Sequence, residues 1–509
     1  MGKDIIGLPL LTAAPGTGSD SERTATLARN VRSGALWTGA STMLLRVSNI
    51  VLMAFVARIV SPEELGVFAL AVTVQAVLVS VAELGVASTI ARSDVDIDRI
   101  APTVVTISVV TSLFLGSMMA LLAGPMAAFL GSPDAEGPLR ILAISVALIG
   151  PFAVPGAQLQ RTFRQDLLFR ASIIGFIPGS AALVLIALAG DGAAAFAWSR
   201  VAGQIVAGLI MMKCVGKNYL PGFKKAYLRP LMQFGIPLAL ANILSQVLLN
   251  LDYVYVGRMM TPADVGVYMM AFNVCMWSTA VIGAMLNGIV LPAFSSVRRD
   301  GGSIDKALVQ AVRTVAMVSL PIAVFTGVFS TPIVTTLYGS QWTAAGPVLA
   351  VLSLYGVVSV MGLLFANIII STGKTRVLFT VQLAALVALI PALYAGIHFG
   401  GLIGIGIAHI CVISAVTLPV YLHALHKATG ANISLVFGAA RLPFLAALAA
   451  GTCAWLVTFS LDSDLLKLGL GGATGALVYV LATFRLWIAA FHRGPKREES
   501  PHSMSDGAE

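Results

Sequence analysis

Apolar runs long enough to cross a bilayer follow one another along almost the whole chain, separated by short polar breaks. They lie at 35–58, 66–90, 102–124, 139–160, 171–190, 193–213, 231–257, 266–292, 310–337, 346–371, 377–398, 401–423, 437–460 and 465–490. Each is close to the ~20 residues a helix needs, at about 1.5 Å per residue, to span hydrocarbon. No water reaches backbone N–H and C=O groups there, so each run is expected to be helical. The pattern predicts an all-α polytopic membrane protein of about fourteen transmembrane helices. The narrowest divisions are Gly190-Asp191-Gly192 and Gly400-Gly401.

One stretch is repeated. Val56–Val74 aligns without a gap on Val256–Val274, and Val56/Val256, Arg58/Arg258, Pro62/Pro262, Gly66/Gly266, Val67/Val267, Ala71/Ala271 and Val74/Val274 are identical. Ser61/Thr261 and Glu64/Asp264 are conservative pairs. Ser61 and Thr261 suit helix N-caps, with Pro62 and Pro262 in the first turn. Arg58 and Arg258 end the preceding helices and are expected to serve the loop. The offset carries segments 1–6 onto 7–12, which predicts two pseudo-symmetric six-helix lobes related by an axis along the membrane normal.

Charge orients this array. With the N-terminus inside, the inner loops receive 26 of the 32 Lys and Arg, the outer loops four, and two (Arg46 and Arg200) fall within helices. Cytoplasmic loops carry such an excess, and one missing helix would invert every later loop. Both termini are therefore expected in the cytoplasm. The divisions are a tail at 1–30, an N-lobe at 31–216 and a basic linker at 217–230. A C-lobe at 231–424, a two-helix addition at 425–490 and a charged tail at 491–509 follow.

Composition agrees: 58% of the 509 residues are hydrophobic and 11% charged, against about 25% charged in soluble domains. The net charge of +9 is spread over loops between apolar runs, so it marks topology and no nucleic-acid surface. Cys214, Cys275, Cys411 and Cys453 have neither metal nor disulfide spacing. No Ser-His-Asp set, Walker loop or HExxH motif occurs, and no cofactor, metal or catalytic activity is expected. His423 and His426 fall at a helix end, and His409 within segment 12 is either a protonatable group or, by the commoner reading, a helix-packing residue.

Polar groups inside the spans carry the candidate chemistry, because a charge at mid-bilayer costs about 2.5–3.5 kcal/mol on insertion scales. The charged ones are Arg46, Glu83, Arg200 and Asp252. At 100° per residue, Thr38, Thr42, Arg46 and Asn49 share an arc of about 80°. Asn242, Ser245, Gln246, Asn250, Asp252 and Tyr253 cover about 160° of segment 7. The offset of 200 pairs Thr42 with Asn242 and Arg46 with Gln246. Two such stripes suit helices lining a hydrated central cavity, or polar contacts between neighbouring helices. Thr42, Arg46, Asn49, Arg200, Asn242, Gln246, Asn250 and Tyr253 are the candidate binding residues. Glu83 and Asp252 are the candidates for ion coupling.

Ala57-Arg58-Ile59-Val60-Ser61-Pro62-Glu63-Glu64-Leu65-Gly66-Val67, Glu83-Leu84-Gly85-Val86, and Tyr338-Gly339-Ser340-Gln341-Trp342 complete the pattern. With Leu159-Gln160-Arg161 and Gly266-Val267-Tyr268, it resembles the bacterial polysaccharide flippases (Wzx-like translocases). These form the lipopolysaccharide and exopolysaccharide branch of the multidrug/oligosaccharidyl-lipid/polysaccharide (MOP) exporter superfamily. Thr162 and Gln165 depart from the charged residues frequent there. The resemblance implies alternating-access export of undecaprenyl-diphosphate-linked repeat units across the bacterial cytoplasmic membrane. Glycosyltransferases and a polysaccharide polymerase would be its partners, with membrane lipid around it. A cation-coupled drug or metabolite antiporter of the same superfamily is the alternative. A sugar polymerase or ligase would need a larger outer loop than the one near Gly124–Pro138.

Overall fold

The computed structural model describes residues 43–82, 97–216, 220–285, 304–372, 374, 376–430 and 432–491. Every regular element among them is helical. The N-terminal half contains α1 (Met43–Val56), α2 (Pro62–Ala82), α3 (Ile97–Leu121), α4 (Ala123–Phe129), α5 (Glu136–Ala147), α6 (Ile149–Arg161), α7 (Gln165–Leu188) and α8 (Gly192–Val215). The second half contains α9 (Lys225–Met259), α10 (Pro262–Met285), α11 (Ile304–Val328), α12 (Ser330–Tyr338), α13 (Ala345–Ser371), α14 (Arg376–Val412) and α15 (Leu418–Thr429). α16 (Ser434–Thr458) and α17 (Asp464–Phe491) follow.

Among the described residues, ten helices are long and apolar enough to cross a membrane, or eleven if α5 and α6, bent by 48°, form one span. The protein is a multi-pass membrane protein. Its exposed surface includes Phe114, Leu185, Phe399, Leu456 and Leu481, side chains that suit contact with lipid. Helical structure from 376 to 429 covers 54 residues, about 80 Å if straight and more than twice the hydrocarbon thickness. It is not straight. Gly401 takes φ 54°, and the backbones of Gly396 and Gly404 touch. Residues eight apart would be about 12 Å distant along one helix, so the chain doubles back at Gly400-Gly401.

A similar reversal joins α7 to α8. Gly190 adopts φ 92°, and the Asp191 carboxylate accepts the Ala194 N–H at 3.0 Å. The two helices then pack through small residues. A Cβ on Gly175 would stand 2.6 Å from the Gly203 carbonyl oxygen, so glycine permits that approach.

The repeated stretch lies where the two halves meet. Ser61 Oγ accepts the Glu64 N–H at 3.2 Å while Glu64 accepts the Ser61 N–H at 2.8 Å. Thr261 and Asp264 repeat this reciprocal cap at 3.2 and 3.1 Å. The helices so started, α2 and α10, cross at Gly66 and Gly266. A Cβ on Gly66 would land on the Pro262 carbonyl oxygen and one on Gly266 on the Pro62 oxygen. The two arginines exchange halves as well. Arg58 Nη2 donates to Thr336 O at the end of α12 (2.9 Å), and Arg258 Nη1 to Phe129 O at the end of α4 (2.8 Å). Both reach the electronegative C-terminus of a short helix. Trp342, fully buried, donates Nε1–H to Ala57 O at 2.7 Å, and Gln341 donates to the same carbonyl. This motif face is the firmly closed end of the molecule. The largest apolar cluster lies behind it, shared between halves through Val56, Leu70, Val265, Tyr268, Trp342 and Leu393.

α16 and α17 pack on the second half, where Tyr479 Oη donates to Met317 O at 2.9 Å and Thr335 Oγ1 to Asp464 Oδ2 at 2.5 Å. Gly66→Ala and Gly266→Ala are each expected to lower stability by about 1–3 kcal/mol, the usual cost of overpacking. A lower midpoint of thermal unfolding in detergent would report it. Gly137→Ala, whose Cβ meets nothing within 4 Å, is the control that leaves the midpoint in place.

Candidate functional site

α1 and α2 diverge from the motif face, and α7, α8 and α10 complete a chamber of about 940 Å³. Its closed end is apolar and tight: Leu65, Met270 and Tyr338 are each 1% exposed. Away from that end Arg46 is half-buried, while Asn49 and Asn273 are exposed. The chamber is thus shut toward the motif face and accessible from the opposite direction. Small residues on two helices, Gly175, Gly179, Ser199 and Gly203, keep one wall thin.

The chamber's charge has one sign. Arg46 and Arg200 line it, and none of its described lining residues is acidic. Among the described residues, neither guanidinium forms an ion pair. Neutral groups hold Arg200. Its Nη1 donates to Gln75 Oε1 at 3.1 Å, and its guanidinium carbon sits 5.9 Å from the centre of the Phe68 ring. Phe68 stacks on Phe196 at 5.0 Å. Behind the wall, Gln75 Nε2 donates to Ser145 Oγ at 2.9 Å, Ser145 Oγ donates to Gln204 Oε1, and Gln204 Nε2 donates to Ser145 O at 3.0 Å. An anion in the chamber would therefore meet arginine charge that no carboxylate among the described residues neutralises.

The polar face of α9 has other neighbours. Asn242, Gln246, Asn250 and Tyr253 are not among the residues lining this chamber. Asn250 Nδ2 donates along its own helix to Gln246 O at 2.8 Å, and Ser245 Oγ donates to Ala241 O at 3.0 Å and Gln382 Oε1 at 3.4 Å. Thr42 and Glu83 lie outside the described residues.

Asp252 is the centre of a second cluster. It is 1% exposed, accepts the Tyr268 hydroxyl at 2.6 Å on Oδ2, and accepts the Tyr253 N–H at 3.0 Å on Oδ1. His409 Nε2 stands 3.5 Å from Oδ2 and has no hydrogen-bond partner among the described residues. The imidazole also lies tilted against Tyr355, ring centres 5.0 Å apart, with Phe272 at 6.5 Å. Sequence position alone leaves His409 between a packing and a protonatable role; its aim at a buried carboxylate emerges only once α14 folds against α9. Gln75 and Gln204 were likewise missed, although an amide inside an apolar run is the signal that marks them. Among the described residues no three His, Cys, Asp or Glu side chains gather as metal ligands.

With this geometry in hand, the relatives are informative. The profile of the family described as polysaccharide biosynthesis protein matches residues 55–347, more than half of the chain. The chain belongs to that family. The teichuronic acid biosynthesis protein TuaB of Bacillus subtilis (strain 168) is 23% identical over 465 residues, 89% of this chain and 95% of the relative. The succinoglycan biosynthesis transport protein ExoT of Rhizobium meliloti (strain 1021) is 26% identical over 444 residues, 85% and 88% respectively. Among solved structures, lipid II flippase MurJ in an inward closed conformation superposes with a TM-score of 0.73 at 15% identity. That superposition covers 90% of this chain and 99% of MurJ. The fold is shared with MurJ, and this member of the polysaccharide biosynthesis family is a multi-pass inner-membrane protein.

In this family member Asp252 accepts the buried Tyr268 hydroxyl and stands beside the buried His409 Nε2. Asp252→Ala is expected to cost about 1–3 kcal/mol for the unsatisfied groups it leaves, and Asp252→Asn less. Thermal unfolding of the two purified variants checks the order.

Proposed function

We propose that the chain is a flippase for lipid-linked oligosaccharides, and that its cargo is a polysaccharide repeat unit on undecaprenyl diphosphate. One observation carries this reading: a chamber between the halves bears two arginines and no described acid, and is sealed at one end by reciprocal backbone packing. A diphosphate head group must shed water to cross, and guanidinium forks replace that hydration with charge-assisted bonds. The polyprenyl tail needs no such help and stays in lipid. TuaB and ExoT, by their names, serve teichuronic acid biosynthesis and succinoglycan biosynthesis transport, and MurJ is a lipid II flippase, which supports the same cargo class.

On this reading the chain crosses fourteen times, with α5–α6 as one crossing, residues 376–429 as two, and both termini in the cytoplasm. The lobes are 31–216 and 231–424, joined by the linker 217–230, with 425–490 appended. Positive-inside bias then places the motif face outside, so the described state admits cargo from the cytoplasm. Cargo is loaded by glycosyltransferases at the inner face and consumed by a polymerase at the outer. Rocking of the lobes would part Gly66 from Gly266 and reopen the chamber outward. Asp252, with His409 beside it, is the site we assign to ion coupling, since a buried carboxylate whose protonation differs between states links transport to the gradient. A drug-cation antiporter would want carboxylates where this chamber has arginines.

Arg46→Ala and Arg200→Ala are each expected to cut export of lipid-linked repeat units at least about tenfold, the loss of one charge-assisted contact of ~1.5 kcal/mol or more. Arg46→Lys keeps part of the activity. Complementation of a strain lacking its own flippase, with protein level checked by immunoblot, measures this; wild-type export by both alanine variants would falsify the phosphate role. Asp252→Asn is expected to make export indifferent to collapse of the proton gradient. A variant that still responds as wild type does would remove Asp252 from the coupling.

A further inference from the structure

The guanidinium of Arg200 is held by an amide where a carboxylate would be the stronger partner. Gln75 is 3% exposed and has both ends engaged: Oε1 accepts from Arg200 at 3.1 Å, and Nε2 donates to Ser145 Oγ at 2.9 Å. Ser145, also 3% exposed, is fixed in turn by Gln204 through its hydroxyl and its carbonyl. This arrangement sets the amide's orientation. Turning Gln75 over would point its NH₂ at the Arg200 N–H groups, donor against donor. The relay ties α2, α5 and α8 together and ends on a cation facing the chamber.

A buried glutamate at position 75 would form an ion pair with Arg200 and cancel the charge that the chamber offers. A neutral acceptor holds the guanidinium in place and leaves its charge for a ligand. Phe68 supports the opposite face of the guanidinium without neutralising it. We propose that Gln75 is a positioning residue that sets the chamber's selectivity for anionic cargo, aiming Arg200 while keeping its charge uncompensated. This rests on the reading of the chamber as a diphosphate site.

The test uses the purified full-length protein in nanodiscs with inorganic pyrophosphate as probe, and compares wild type, Gln75→Glu, Arg200→Gln and the double variant. Gln75→Glu is expected to weaken pyrophosphate binding about tenfold, the effect of placing one opposing charge at close range in a partly buried site. In the Arg200→Gln background the same change is expected to matter less than about threefold, because the pair it would form no longer exists. A merely structural role for Gln75 would not produce that dependence on Arg200. Ser145→Ala, which frees the amide to turn, is expected to weaken binding about two- to fivefold, by the loss of one neutral hydrogen bond. It serves as the test should Gln75→Glu not survive purification.

Wild-type affinity in Gln75→Glu, or in Ser145→Ala where only that variant is obtained, overturns the proposal. A Gln75→Glu loss of equal size with and without Arg200 overturns it too. The cavity reading fails separately, and takes this proposal with it, if wild type binds no pyrophosphate or if Arg200→Gln binds it as tightly as wild type.

Discussion

The architecture turns on two backbones that touch where any side chain would keep them apart. At Gly66 and Gly266 the first turns of α2 and α10 lie against each other so closely that the Pro262 carbonyl oxygen fills the place of Gly66's missing Cβ and the Pro62 oxygen that of Gly266's. Helices normally pack 8–10 Å apart, and only glycine lets axes come much nearer. The reciprocal caps at Ser61/Glu64 and Thr261/Asp264 set where those helices begin, and hence which residues meet. Once that point is fixed, α1 and α2 on one side and α10 on the other can only splay away from it. The chamber is the space they leave.

Much of this could be read from the chain because the relevant signals are local or periodic. Apolar length marks the spans, and the offset of 200 marks the repeat. Ser61-Pro62 and Thr261-Pro262 announce helix starts, and the glycines at 190–192 and 400–401 announce reversals; the structure shows both turns. Arg46 and Arg200 stand out as charges in apolar runs, and the folded chain brings both to one chamber. The polar stripe on α9 shows the limit of periodicity. Its arc is real, but an arc does not say which neighbour it faces, and Ser245 faces Gln382. The Gln75 relay and the approach of His409 to Asp252 join residues 125 and 157 positions apart, and nothing local to either partner records such a pairing.

The repeated stretch keeps its caps and its glycine crossing while the chemistry around it diverges. Position 68 is Phe in one half and Tyr in the other. The Phe68 ring supports the Arg200 guanidinium, whereas the Tyr268 hydroxyl donates to Asp252. The partner of Asp252 by offset is Leu52, and the partner of Arg46 is Gln246. One hydroxyl group and two charge changes therefore separate a half that brings Arg46 to the open chamber from a half that seals Asp252 away. Equivalent helices deliver equivalent positions, and the side chains decide whether a position holds a ligand or a buried carboxylate.

That division bears on how the two sites communicate. Tyr268 lies two residues beyond Gly266 on α10, and Met269 and Met270, its next neighbours, line the chamber. α10 thus carries the crossing point, one partner of Asp252 and part of the chamber wall within five residues, less than two helical turns. A helix segment that short moves as a rigid body. Any change in the Asp252–Tyr268 bond that shifts α10 must alter both the glycine contact and the chamber floor. The crossing point is therefore where a displacement starting at one site would reach the other, because two carbonyl groups packed without side chains have no flexible atoms to absorb it.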